Sequence, residues 1–171
     1  MQKQISSFAR RTQLGVALAL SLLAGTAGAQ AVRTEKNISL ELANQIASAT
    51  VASCAAAGYA VTAAVVDRAG LIKAVHRADN AGPHSLGSAQ QKAFTSASAK
   101  NSTLAMMEAA QKNPGSANLV YLPGFLLLGG GLPIKVGTET IGGVGVGGAP
   151  NGAADEACAV AALDKVKDQL K

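Results

Sequence analysis

The last third of the chain is apolar and cut at short intervals by glycine, and this pattern restricts the fold more than any other feature. Three apolar runs stand there: Phe125–Leu128, Leu132–Val136 and Thr140–Val146. Gly129-Gly130-Gly131 separates the first two, and Gly137-Thr138-Glu139 the last two. Short apolar runs bounded by turn residues read as strands. Parallel neighbours need long crossovers, so these connections predict an antiparallel sheet. Aromatic residues make up only 3% of the chain and Trp is absent, so the core must close by tight packing of small side chains. Gly143-Val144-Gly145-Val146-Gly147-Gly148 matches G-x-G-x-x-G letter for letter. That dinucleotide fingerprint needs a helix and then another strand with an acidic residue. Only one helix follows here, so the glycines read instead as sites of close backbone approach.

Upstream, Ser39 caps a helix over Leu40–Ala57, with Glu41 in its first turn and Gly58 as its stop. Tyr59–Val66 and Leu71–Arg77 read as a hairpin around Asp67-Arg68-Ala69-Gly70. Asp67 suits that corner as a turn residue. Alternation places Ile72, Ala74 and His76 on one face of the second strand. A polar loop, Ala78–Gly87, precedes helices over Ser88–Ala99 and Thr103–Lys112, the latter capped by Asn101 or Ser102 and ended by Asn113-Pro114-Gly115. A helix over Ala153–Leu170 closes the chain. The order is α-β-β-α-α-β-β-β-α, an α+β architecture with five antiparallel strands and flanking helices.

The N-terminus reads as a cleaved secretory signal. Lys3, Arg10 and Arg11 precede an uncharged run, Leu14–Ala27, that ends in Ala27-Gly28-Ala29. About 14 residues fall short of the ~20 that span a bilayer, so cleavage after Ala29 is expected rather than a permanent anchor. The paired arginines raise the twin-arginine route, but Thr12-Gln13-Leu14 matches it poorly and the general secretory route is preferred. The expected product is a periplasmic or secreted chain with no membrane span. Residues 30–38 form a frayed segment, and 39–171 form one domain. Of the 171 residues, 142 remain; the signal carries three of the five net positive charges, leaving about +2. A near-neutral domain without a Lys/Arg run has no nucleic-acid footprint. Export would place Cys54 and Cys158 in an oxidising compartment. There they would form a disulfide closing a loop of about 104 residues; two buried thiols are the alternative.

No paired carboxylates or G-x-S-x-G elbow mark a catalytic centre. His76 and His84 are the two histidines of the chain. Together with two remote cysteines they do not make a zinc site. One axial ligand to a haem iron is a smaller demand. His84, in the polar loop, is the candidate for it, whereas His76 reads as a packed strand residue.

Four motifs together resemble the GlcG/HbpS-like haem-binding family, also called haem-degrading domains. They are Gln91-Lys92-Ala93-Phe94-Thr95-Ser96, Gly130-Gly131-Leu132-Pro133-Ile134-Lys135, Ile141-Gly142-Gly143-Val144-Gly145-Val146-Gly147-Gly148-Ala149, and Asp155-Glu156 before an Ala-rich helix. Ser96 stands where the family usually has Ala, and Gly148 where it often has Ser. The resemblance implies a profilin-like or PAS-like domain, assembly into a homo-oligomer, and haem or a related tetrapyrrole as ligand. A sensor-kinase partner is implied for one exported branch. The cleft is expected between the sheet and residues 82–95. There His84 or Thr95 would approach the iron and Lys92 would pair with a propionate. The expected function is non-enzymatic binding. The alternatives are an enzyme acting on haem or a small catabolite, and an accessory partner without ligand.

Overall fold

The computed structural model describes residues 32–171, so the expected signal segment and its cleavage site lie outside the described residues. Helix α1 (Leu40–Ala56) starts where Ser39 Oγ accepts from the Leu42 amide and ends before Gly58, whose φ is +82°. Strands β1 (Thr62–Asp67) and β2 (Ile72–Arg77) follow as the expected hairpin. Asp67 holds the corner, with Oδ1 accepting from the amides of Ala69 and Leu71.

Helix α2 spans His84–Ala99, four residues longer at its start than the sequence suggested. The polar composition of residues 78–87 conceals that start. Pro83 has helical φ and ψ, and Ser85 closes the first turn through its amide and hydroxyl onto Gly82 O. His84 is therefore the first helical residue, not a loop residue. Helices α3 (Thr103–Lys112, capped by Ser102) and α4 (Pro114–Ala117) lead through a 3-10 turn at Asn118–Tyr121 to an irregular stretch. Strands β3 (Gly131–Val136) and β4 (Glu139–Gly147) and helix α5 (Gly152–Lys165) complete the order.

The sheet has four strands in the order β2-β1-β4-β3, all antiparallel, not the five expected. Phe125–Leu128 is not a strand. Its backbone is held by side chains instead: Leu126 N donates to Thr95 Oγ1 at 2.9 Å, and Leu128 O accepts from Thr103 Oγ1 at 2.8 Å. Apolar composition identified a segment to be covered, and threonine hydroxyls took the place of a neighbouring strand.

Helices α1 and α5 cover one face of the sheet. Ile46, Val65, Val144, Val146 and Cys158 form the main core there. Cys54 of α1 and Cys158 of α5 are joined by a disulfide, Cα–Cα 5.3 Å, as expected. Ile38 belongs to this core and donates to Ile141 O, so the end of the segment expected to fray is fixed in place. Helix α2 covers the opposite face. Gly143, Gly145 and Gly147 point towards it, and a Cβ at Gly145 would overlap the Ala89 carbonyl and the Ala93 nitrogen. Close backbone approach is thus what these glycines provide. Their partners on α2 are small as well, including Ala89, Ala93 and Ala97.

Candidate functional site

Helix α2 presents three surfaces to its surroundings. Its inner stripe lies on the glycines of β4. A second side carries Lys92, which is 1% exposed. Lys92 Nζ donates to Asp155 Oδ2 at 2.7 Å and to Val146 O at 2.8 Å. Asp155, in the first turn of α5, also accepts from the Ala149 amide through Oδ1. Burial pushes the Asp155 carboxyl above its ordinary value of 3.8, and Lys92 offsets part of that rise. The pair ties α2, the end of β4 and the start of α5 together.

The third side of α2 forms one wall of a cavity of about 210 Å³. Gln90, Gln91 and Phe94 contribute that wall, and Val66 and Ile72 contribute the sheet side. Gly70 of the hairpin corner and Gly124 close its ends against the Phe94 ring. Phe125 meets Phe94 edge to face, with centroids 6.1 Å apart. Ile72 reaches this cavity through a β-bulge: Val65 pairs with Ala74 but Val66 pairs with Ile72, leaving Lys73 as the extra residue. Simple alternation had placed Ile72 with Ala74 on the other face. Ile72, on the sheet side of the recess, is 48% exposed.

A recess is thus present between the sheet and α2, where a cleft was expected, and His76, His84, Lys92 and Thr95 are not among the residues that line it. Lys92 points inward onto Asp155, so its ammonium is engaged and the expected propionate contact is replaced by a structural ion pair. Thr95 is fully buried; its hydroxyl donates to Gln91 O and accepts from Leu126 N. His84 is exposed at the opposite end of α2, ten residues and about 15 Å of helix from Phe94. His76 is half-buried and pairs with Ala63, whose side chain belongs to the α1 face. Among the described residues, no group of three or more His, Cys, Asp or Glu residues could hold a metal ion. None of the described helices is long and apolar enough to cross a membrane.

Phe94, Gln90 and Ile72 were missed. A signal for Phe94 was present. It is one of three phenylalanines in the chain and stands on a helix whose buried positions are mostly Ala and Ser, with Lys92 and Thr95. An aromatic in so small-sided a helix marks a surface other than the sheet contact. The Ile72 assignment depends on a bulge that has no signature in the strand sequence.

A family model described as haem degrading protein HbpS-like matches residues 38–164. A double mutant of HbpS from Streptomyces reticuli is 35% identical with a TM-score of 0.75, the match covering 82% of this chain and 94% of that one. The ORFY protein of Klebsiella pneumoniae is 30% identical with a TM-score of 0.74, over 79% and 94% of the two chains. The structure titled as a PduOC–haem complex shares the fold at 23% identity and a TM-score of 0.67, over 75% and 94%. No curated protein matches the chain. With the family model covering both helical layers and all four strands, the chain belongs to the HbpS-like haem-degrading protein family.

Proposed function

We propose that this protein is exported and binds haem or a related tetrapyrrole at its surface, with one edge of the ring in the recess between β2 and α2. The observation that carries this reading is the recess itself, open and walled by Val66, Ile72 and Phe94 with two glutamine amides beside them. Apolar walls with a few polar groups suit a flat, largely apolar ring. About 210 Å³ is below the ~300–1,000 Å³ of sites that enclose a ligand, so the ring is edge-seated rather than engulfed. The family's description and the haem complex of the PduOC structure support the same ligand. The Cys54–Cys158 disulfide suits an oxidising compartment and supports export. Homo-oligomerisation and a sensor-kinase partner belong to the same proposal, with exposed Val120, Tyr121 and Leu122 offering apolar surface.

Titration with haemin, followed by the Soret band, tests the site. Ile72→Glu should abolish the shift, while His84→Ala, at the far end of α2, should leave it unchanged. The reverse result would move the ring to the N-terminal end of α2 and restore His84 as the iron ligand. Absence of any Soret change in the wild type would remove haem as the ligand. Protein sequencing of the exported form should find Gln30 first. A second reading, haem breakdown, is favoured by the family's description; it requires loss of the haem spectrum with release of iron under ascorbate.

A further inference from the structure

A second cavity, about 330 Å³, lies on the other side of the molecule between α1 and α5. Its walls are largely alanine, including Ala57, Ala154, Ala157 and Ala161. Ser53 and Tyr59 add hydroxyls, and Cys158 lies at its surface. The two halves of the disulfide differ here. Cys54 is wholly buried and does not line the groove, whereas Cys158 lines it and keeps 5% of its surface exposed. Lys165 stands beside the groove, its exposed ammonium donating to Ser53 Oγ at 3.3 Å.

We propose that this groove is a thiol-exchange site that admits a small anionic thiol to the sulfur of Cys158. Exchange requires a thiolate in line with one sulfur of the bond, so access decides which sulfur is attacked. Methyl walls leave room for a slender sulfhydryl, and the Lys165 ammonium attracts a negatively charged carrier. The attacking thiolate bonds to Cys158 Sγ as the Cys54–Cys158 bond breaks. Cys54 leaves with the electron pair and takes a proton from solvent. A second thiolate then attacks the carrier sulfur, releasing the oxidised carrier disulfide and a Cys158 thiolate. Two carrier thiols are oxidised and one protein disulfide is reduced. The consequence is a releasable tie between the two helices that cover the main core.

The oxidised, folded protein is incubated with reduced glutathione at pH 8, quenched in acid and mapped by peptide mass spectrometry. The first adduct should be a single glutathione on Cys158. Ala157→Leu or Ala57→Leu, at exposed positions on the two walls, should slow it about tenfold by blocking access, with far-UV dichroism unchanged. Lys165→Gln should slow glutathione but not neutral 2-mercaptoethanol. Adducts on Cys54, or equally on both cysteines, would overturn the proposal. So would a rate equal to that of global unfolding and indifferent to the wall variants.

Discussion

Replacing Lys92 by Met tests how far the buried ion pair has been removed from water. Side-chain exposure is 1% for Lys92 and 4% for Asp155, and their contact is 2.7 Å. Met has similar length and no charge, so Lys92→Met fills the space but strips the Asp155 carboxylate of its ammonium partner and leaves it the Ala149 amide. Stripping one partner from a buried pair typically costs about 3–5 kcal/mol. A domain of this length shifts by about 4 °C per kcal/mol, so the melting temperature should fall by roughly 12–20 °C. The sign of the pH dependence follows from the carboxyl. Its folded pKa already lies above 3.8 in the wild type, so its favourable contribution is complete below 3.8 and is lost as pH rises through the folded value. Removing the Lys92 charge raises that folded value further. The cost of Lys92→Met should therefore be small in acid and largest at pH 7–8. Adding Asp155→Leu should recover most of the loss, because a hydrophobic pair avoids both desolvation penalties. Calorimetry of the wild type, Lys92→Met, Asp155→Leu and the double variant across pH measures this. A cost below 1 kcal/mol at neutral pH, or one that does not vary with pH, would refute the reasoning.

Two further predictions concern the sheet contact and the irregular stretch. Gly145→Ala drives a methyl into the α2 backbone and should cost about 1–3 kcal/mol or more, while Gly87→Ala, with nothing within 4 Å of the new methyl, should stabilise by about 0.5–1 kcal/mol; equal melting temperatures would show that α2 does not lie directly on β4. Thr95→Val removes the acceptor of the Leu126 amide and should cost about 1–3 kcal/mol. Hydrogen exchange should then lose protection at Leu126, and unchanged protection there would dismiss Thr95 as its anchor.

The parts of this fold legible in the sequence are those set by local chemistry. Ser39, Ser102 and Gly58 mark helix ends because capping is decided within a turn. The glycines of β4 announced a close approach because few other pressures keep side chains out of a strand. The residues of α2 were located, but the partners of their side chains were not. Lys92 looked like a ligand contact because its partner, Asp155, stands 63 positions away on another helix. The extra turn at His84 hid in a polar stretch, and the bulge at Lys73 exists only in the pairing of two strands. The ion pair and the bulge needed long-range partners that no local pattern specifies, whereas the helix start was a local signal masked by polar composition.

The absent fifth strand and the recess have one cause. Had Phe125–Leu128 joined the sheet, its side chains would have alternated between the two layers, as in any strand. Thr95 and Thr103 instead bind its backbone beside α2, and Phe125 stacks on the edge of Phe94. That fixes Gly124 within van der Waals reach of the Phe94 ring, where a Cβ would stand 3.2 Å from it. Glycine at φ +83° turns the chain there, keeping it clear of the space above Gln90, Gln91 and Ile72. The segment that reads as strand thus backs the Gly124–Phe94 wall of the recess, and the two hydroxyls that hold it support the binding site proposed there. Thr95, expected to touch iron, would act on a ligand through that wall. Thr95→Val should accordingly weaken haemin binding without abolishing the Soret shift, whereas Ile72→Glu should abolish it. Equal loss in both variants, with the fold intact, would instead place the threonine hydroxyl at the ring.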